Sequence, residues 1–221
     1  MSNYYLLIAV IVVLAAGAVK GYRRGFLRLA VWFAGLIAVL FIVTKISPYV
    51  SDFLIDNTSL YGKVQEKIVT AYNDKIISGN EDIDSFGFPD LISDSIRTNN
   101  KSEIYEKLAV TIFRDYVAGY LSALSIKAGT FVGLFVILAI IQLILTLAVR
   151  ILEKIPVLRT FNRLLGMATG ITLSLVFIWV FFLAVMMFFG SSFGTWVFNQ
   201  VGSSRFLKVL FNNNILFELI R

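Results

Sequence analysis

Few residues in this chain could do chemistry. Its 221 residues include no cysteine and no histidine. That removes thiolate nucleophiles, histidine general bases and most zinc or haem sites at once. Three groups remain to be weighed. Ser174 would need a base beside it, and the nearest lysine candidate is Lys127, at the far end of a different apolar stretch. Glu81, Asp82 and Asp84 could suggest calcium, but their spacing lacks the glycine and distant glutamate of an EF-hand loop, so a solvated loop is expected. Gln142 is the one amide central to an apolar stretch, with Thr146 one turn later on the same face. The pair could line a polar path. The alternative, and the expectation, is an interhelical hydrogen bond worth roughly 0.6–2 kcal/mol in a membrane. No catalytic residue, cofactor site or metal ligand is expected, and an enzyme is the weakest of the functional readings.

The elements that would position these groups are membrane spans. The chain is 58% hydrophobic and 15% charged, against about 25% charged in an ordinary soluble domain. Four segments carry no charge at all: Tyr4–Val19, Leu29–Thr44, Ala128–Val149 and Leu164–Ser204. A charge at the centre of a span costs roughly 2.5–3.5 kcal/mol, so such runs are what a bilayer selects. A crossing takes about 20 residues. The third run fits outright, and the fourth can cross and continue along the far surface. The first two are short. They reach span length if both helices continue into the basic turn between them, with Lys20 and Arg28 snorkelling to the headgroups. A shallow re-entrant hairpin is the alternative. Backbone in lipid must be hydrogen-bonded internally, which favours two spans. The basic residues follow the first apolar run instead of preceding it, the reverse of a signal peptide.

Two basic turns set the orientation. The first carries Lys20, Arg23, Arg24 and Arg28 with no acid. The second carries Arg150, Lys154, Arg159 and Arg163 against Glu153 alone. The segment Lys45–Lys127 has 9 basic and 12 acidic residues. Short loops rich in Lys and Arg stay cytoplasmic, and long loops count for little. Both basic turns are therefore expected inside, with the N-terminus, the long middle segment and the C-terminus outside. The expected fold is an all-α integral membrane protein of four spans. Residues 1–45 would form a first hairpin, 46–127 an extracytoplasmic helical segment, 128–190 a second hairpin and 191–221 an extracytoplasmic tail.

The middle segment reads as amphipathic helices. Val64, Ile68, Tyr72 and Ile76 recur every four residues from Leu60, with Tyr61 and Val69 beside them. Residues 78–84 (SGNEDID) read as a loop. Pro89 opens a short helix bearing Leu91, Ile92 and Ile96. Asn100 and Glu103 have the spacing of a capping box before a helix with Ile104, Leu108 and Ile112. That helix is expected to run on into the third span, bending near Gly119 or Gly129. These stripes suit either a cap packed on the outer span ends or a docking surface, and the cap is favoured. In the tail, Trp196, Phe198, Phe206, Leu207, Leu210 and Phe211 suggest helices lying on the outer leaflet.

Glycines recur at four-residue spacing: Gly17, Gly21 and Gly25; Gly129 and Gly133; Gly166 and Gly170. This spacing lets helix backbones approach closely, either within the bundle or between copies in a homo-oligomer. The basic turns could bind anionic phospholipid headgroups at roughly 1 kcal/mol per Lys or Arg, besides setting topology. Nothing calls for a nucleic-acid partner.

The basic turns also carry a family resemblance. Gly21-Tyr22-Arg23-Arg24-Gly25-Phe26-Leu27-Arg28 after an apolar N-terminus resembles the first turn of the colicin V production (CvpA) family. Ile155-Pro156-Val157-Leu158, then Phe161-Asn162-Arg163-Leu164-Leu165-Gly166 and Gly170, is similar to that family's second turn and fourth-span entry. The middle segment is similar in kind to that of longer Gram-positive-type members, around Phe88-Pro89-Asp90. Many members carry an acid near the start of the first span, where this chain has Asn3. The resemblance implies a bacterial cell-membrane protein linked to production or export of a peptide toxin and to envelope homeostasis, with no enzymatic activity. Two functions therefore compete. One is a membrane accessory or scaffold that contacts envelope or export machinery. The other is an oligomeric small channel or exporter, in which Gln142 and Thr146 would face water.

Overall fold

The computed structural model describes residues 4–77, 83–99, 113–148 and 159–220. Among these residues the structure is helical throughout, without strands. Helix α1 spans Tyr5–Arg24, α2 Phe26–Asn57 and α3 Leu60–Ile77. A short 3-10 turn, Ile83–Phe86, precedes α4, Asp90–Asn99. Then come α5, Phe113–Ala148, and α6, Arg159–Met186. Three short helices close the chain: α7 (Ser192–Ser203), α8 (Arg205–Asn212) and α9 (Ile215–Glu218).

Among the described residues, four stretches are long and apolar enough to cross a membrane: Tyr5–Arg24, Leu29–Asn57, Tyr116–Thr146 and Thr160–Met186. This is the build of a multi-pass membrane protein. The two short apolar runs reach span length as expected, because both helices continue through the basic turn and break only at Gly25. The break is sharp: Gly25 sits at φ 75°, a left-handed conformation that favours glycine. Its amide still bonds to the Gly21 carbonyl at 2.8 Å, closing α1.

Two helices overrun their charge-free limits. α2 continues past Lys45 to Asn57 with Pro48 inside it, and α5 is already helical at Phe113, well before Ala128. A charge ends the hydrocarbon match and not the backbone hydrogen bonding, so helix and span differ in length. Pro48 removes one donor and crowds the carbonyl four residues back, a local cost that surrounding packing can offset.

The closest helix pairs are not sequence neighbours. α1 lies along α6, and α2 lies along α5, with α6 also touching α2. Their directions are opposed, since Gly17 stands against Gly170 and Gly21 against Gly166. α6 is the hub: 44% of its most apolar stretch is buried, against 17–22% for the other three.

At the other end from the Gly25 corner, the middle segment and the tail form one aromatic cap. Tyr72 of α3 meets Phe86 and Phe88, with ring centroids 5.7 and 5.4 Å away. Phe88 meets Phe189 at 5.6 Å and Phe198 at 6.2 Å. Phe211 joins Phe198 at 6.3 Å and Phe182 of α6 at 5.1 Å. Gly190 (φ 78°) lets the chain turn where a side chain would collide with Ala71 of α3. Polar ties cross the same junction. The Leu91 amide donates to Asn212 Oδ1 at 3.3 Å, and Asn212 Nδ2 donates to Asp90 at 3.1 Å. Tyr116 Oη donates to the Ile96 carbonyl at 2.9 Å.

The expected α3 stripe is present, with Ile68 and Tyr72 buried and Val64 half-buried, and α4 buries Ile92 and Ile96 as expected. The capping box at Asn100 and the helix carrying Ile104, Leu108 and Ile112 lie outside the described residues. So do most of the SGNEDID loop and Asn3. The tail is two-faced. Phe198, Leu207 and Phe211 turn into the cap, while Trp196 and Phe206 stay exposed.

Candidate functional site

Of the candidate site residues, the first-turn cations, Arg163 and five glycines gather at the Gly25 corner and along the α1–α6 seam. Glycine at 17, 21, 166 and 170 removes the side chains from both facing helices. A Cβ on Gly17 would lie 2.7 Å from the Gly170 carbonyl oxygen. One on Gly166 would lie 2.5 Å from the Gly21 oxygen and 2.7 Å from Gly25 Cα. Gly25 itself faces the Asn162 side chain. The seam is therefore reciprocal, each helix occupying the space that side chains of the other would need. Ser174 belongs to it too, with its hydroxyl against Gly17. It serves as a small residue in a packed seam.

The glycine expectation divides at Gly129 and Gly133. Gly129 faces the flexible end of Met187, whose Cε would lie 3.1 Å from an added Cβ. Gly133 has nothing within 4 Å of that position. The same spacing thus marks a seam at one place and open space at another.

The corner also sets Arg163, at the start of α6, against Tyr22 of the first basic turn. The Arg163 guanidinium, one turn before Gly166, lies 5.6 Å from the centre of the Tyr22 ring, a cation–π distance. Lys20, Arg23 and Arg24 are exposed beside it. Arg28 stands in the first turn of α2 and Arg159 begins α6. Arg150, Lys154 and Glu153 lie outside the described residues. Between α1, the start of α2 and α6, a groove of about 430 Å³ opens, with Lys20 and Arg24 in its lining.

Gln142 takes the structural role expected of it. Its Nε2 donates to the Trp32 carbonyl of α2 at 3.0 Å, and its side chain lies over Gly35. Gly35 is the glycine that the spacing rule missed, because it stands alone. Its signal is only that a small residue is needed opposite a buried amide. Thr146 is half-buried one turn later.

Other hydroxyls along the spans bond to helix backbone. Ser125 Oγ donates to Leu121 and Met186 carbonyls at 2.7 and 3.0 Å, tying α5 to the end of α6. Thr44 and Thr169 return to carbonyls four residues back, at 2.6 and 2.9 Å. Thr130 Oγ1 is buried with no hydrogen-bond partner. Lys127 lines a small polar cavity of about 140 Å³ with Ser47, Ser51 and Asp52, at the cap end of α2. Ser47 and Ser51 share a face by their four-residue spacing, and this was the available sequence signal.

In the cap, burial pushes the Tyr72 phenol above its ordinary range, while hydrogen bonds from the Gly190 amide and with Thr195 oppose that shift. Burial also raises Tyr61. No family model matches this chain, and no curated protein or solved structure matches it either.

Proposed function

We propose that this protein is a non-enzymatic accessory or scaffold of a bacterial cell membrane, in the manner of the colicin V production family that its basic turns resemble. The observation that carries this reading is the use of Gln142. The amide best placed to line a polar path is spent on the Trp32 backbone inside the bundle. With that amide occupied, the contacts left to offer lie at the ends and outer faces of the bundle. The cap offers Phe193, Trp196 and Phe206 as an exposed aromatic edge.

In this reading the Gly25 corner faces the cytoplasm, the cap faces outward, and the helices form two hairpins of like orientation. The density of Lys and Arg at the corner supports it. The native chain has no cysteine, so single cysteines label without background. Ser59→Cys is expected to label from outside intact cells and Tyr22→Cys only after permeabilisation; the reverse pattern overturns the orientation. Photo-crosslinkers at Phe193 and Phe206 are expected to trap an envelope or export component in live cells, and recovery of a lone monomer only would count against a scaffold. Restored colicin V export in a producer strain lacking its own family member tests the toxin link.

The oligomeric channel or exporter remains the competitor, and it requires Gln142 and Thr146 to face water. Liposome flux that is lost in Gln142→Leu would favour it over the scaffold.

A further inference from the structure

The groove beside α1, between the start of α2 and α6, has room for about one acyl chain and carries its charge at one end. α1 packs along α6 and touches α2 little, so the first two spans part below their shared corner. The gap runs from Val13 to Arg24 on α1. At 1.5 Å per residue that is about 16 Å, roughly half the ~30 Å hydrocarbon thickness of a bilayer, or one leaflet. Its body is apolar, with Val13, Leu29, Trp32 and Phe177 on its walls. Among the described residues its charged lining is Lys20 and Arg24, both at the corner end and both exposed. Among the described residues no carboxylate lines it.

We propose that this groove holds one anionic phospholipid of the adjoining leaflet, an acyl chain lying between α1 and α2 and its phosphate between Lys20 and Arg24. An apolar cleft open to the hydrocarbon fills with whatever apolar chain can enter it. Two cations at the water boundary then select the headgroup by charge complementarity. The site stands on the membrane build alone and does not depend on the scaffold reading.

The test uses the full-length protein in phosphatidylcholine nanodiscs doped with spin-labelled phosphatidylglycerol or spin-labelled phosphatidylcholine. Electron paramagnetic resonance reads the motionally restricted fraction. Two near-surface cations give an expected preference of about 30-fold for phosphatidylglycerol. Lys20→Gln with Arg24→Gln, both exposed and safe for folding, should abolish the preference. Lys208→Gln, in the cap, should leave it intact. Ala16→Phe, which fills the groove while keeping both charges, should remove the phosphatidylglycerol excess and leave only the boundary lipid common to both labels. Equal restriction of the two lipids, or a preference that survives the double substitution, overturns the proposal. Displacement of the labelled lipid by glycerol phosphate alone would make this a site for a soluble phosphate and would also overturn it. A groove closed to lipid by a second protein's helix would show no phosphatidylglycerol preference in cell-derived membranes despite one in nanodiscs, with the same consequence.

Discussion

Adding a single methyl group at Gly166 tests the seam on which the bundle closes. The new Cβ would lie 2.5 Å from the Gly21 carbonyl oxygen and 2.7 Å from Gly25 Cα, whereas ordinary contact begins near 3.4 Å. Both obstacles are backbone, so no side chain can swing aside. α1 and α6 must part by about 0.9 Å to admit it. Overpacking of this kind costs about 1–3 kcal/mol, and the gain in helix propensity returns up to about 1 kcal/mol. With both obstacles backbone, the upper part of that range, about 2–3 kcal/mol, applies, so after the propensity gain Gly166→Ala should destabilise the protein by about 1–3 kcal/mol. Gly133→Ala is the internal control. It has the same sequence signature but nothing within 4 Å, so it should be neutral or slightly stabilising. Equilibrium unfolding in mixed detergent micelles, followed by circular dichroism, measures both. A neutral Gly166→Ala, or a Gly133→Ala equally damaging, would refute the claim that close backbone approach at this seam holds α1.

Three further outcomes follow from particular contacts. Gln142→Leu should cost about 0.6–1.7 kcal/mol of stability, the range for an interhelical hydrogen bond in a membrane, and the same micelle titration reads it. Asn214 is 2% exposed; its amide donates to the Trp179 carbonyl at 3.1 Å, and its oxygen caps α9 by accepting from Leu216 at 3.0 Å. Asn214→Ala should cost about 1–3 kcal/mol and make the last residues the first site of proteolytic nicking. Tyr72, whose phenol is raised by burial, should titrate later than a free tyrosine. Above the ordinary phenol range the unfolded chain loses that proton while the folded chain keeps it, so stability falls as pH rises, by at most about 1.4 kcal/mol per unit from this group. Phenolate absorbance in wild type and Tyr72→Phe separates its titration from that of the other tyrosines.

The spans were legible because charge in hydrocarbon is costly, and the charge-free runs point to the four apolar helices. Their ends were not. Lys45 and Lys127 limit the apolar run, but a helix ignores a charge that can reach the headgroups, so α2 and α5 extend beyond both. The glycine spacing announced a close seam without naming its partner. Gly133 and Gly170 look alike in sequence, and only the opposing helix distinguishes them. The tail was legible only in part, for a similar reason. An apolar stripe on α8 suits a leaflet or a protein cap equally well, and the choice rests on long-range contacts such as Asn212 with Asp90. The lipid-sized groove left no sequence signature, because it is made by the absence of packing between two consecutive helices.

The pairing of α1 with α6 also orders the protein's birth. A membrane protein leaves the ribosome from its N-terminus, and α1 enters the bilayer long before α6 has been made. Until then its glycine face has no matching surface, since α2 does not supply one. The first span must therefore wait, either shielded by insertion machinery or loosely held among lipids, while the intervening chain is synthesised. Closure of the seam is therefore late, since it needs the chain made through Ser174 of α6. A product truncated before Gly166 would keep the corner at Gly25 and the cations of the first turn, but would leave a bare glycine stripe facing lipid, a mark by which membrane quality control can tell it from the finished protein.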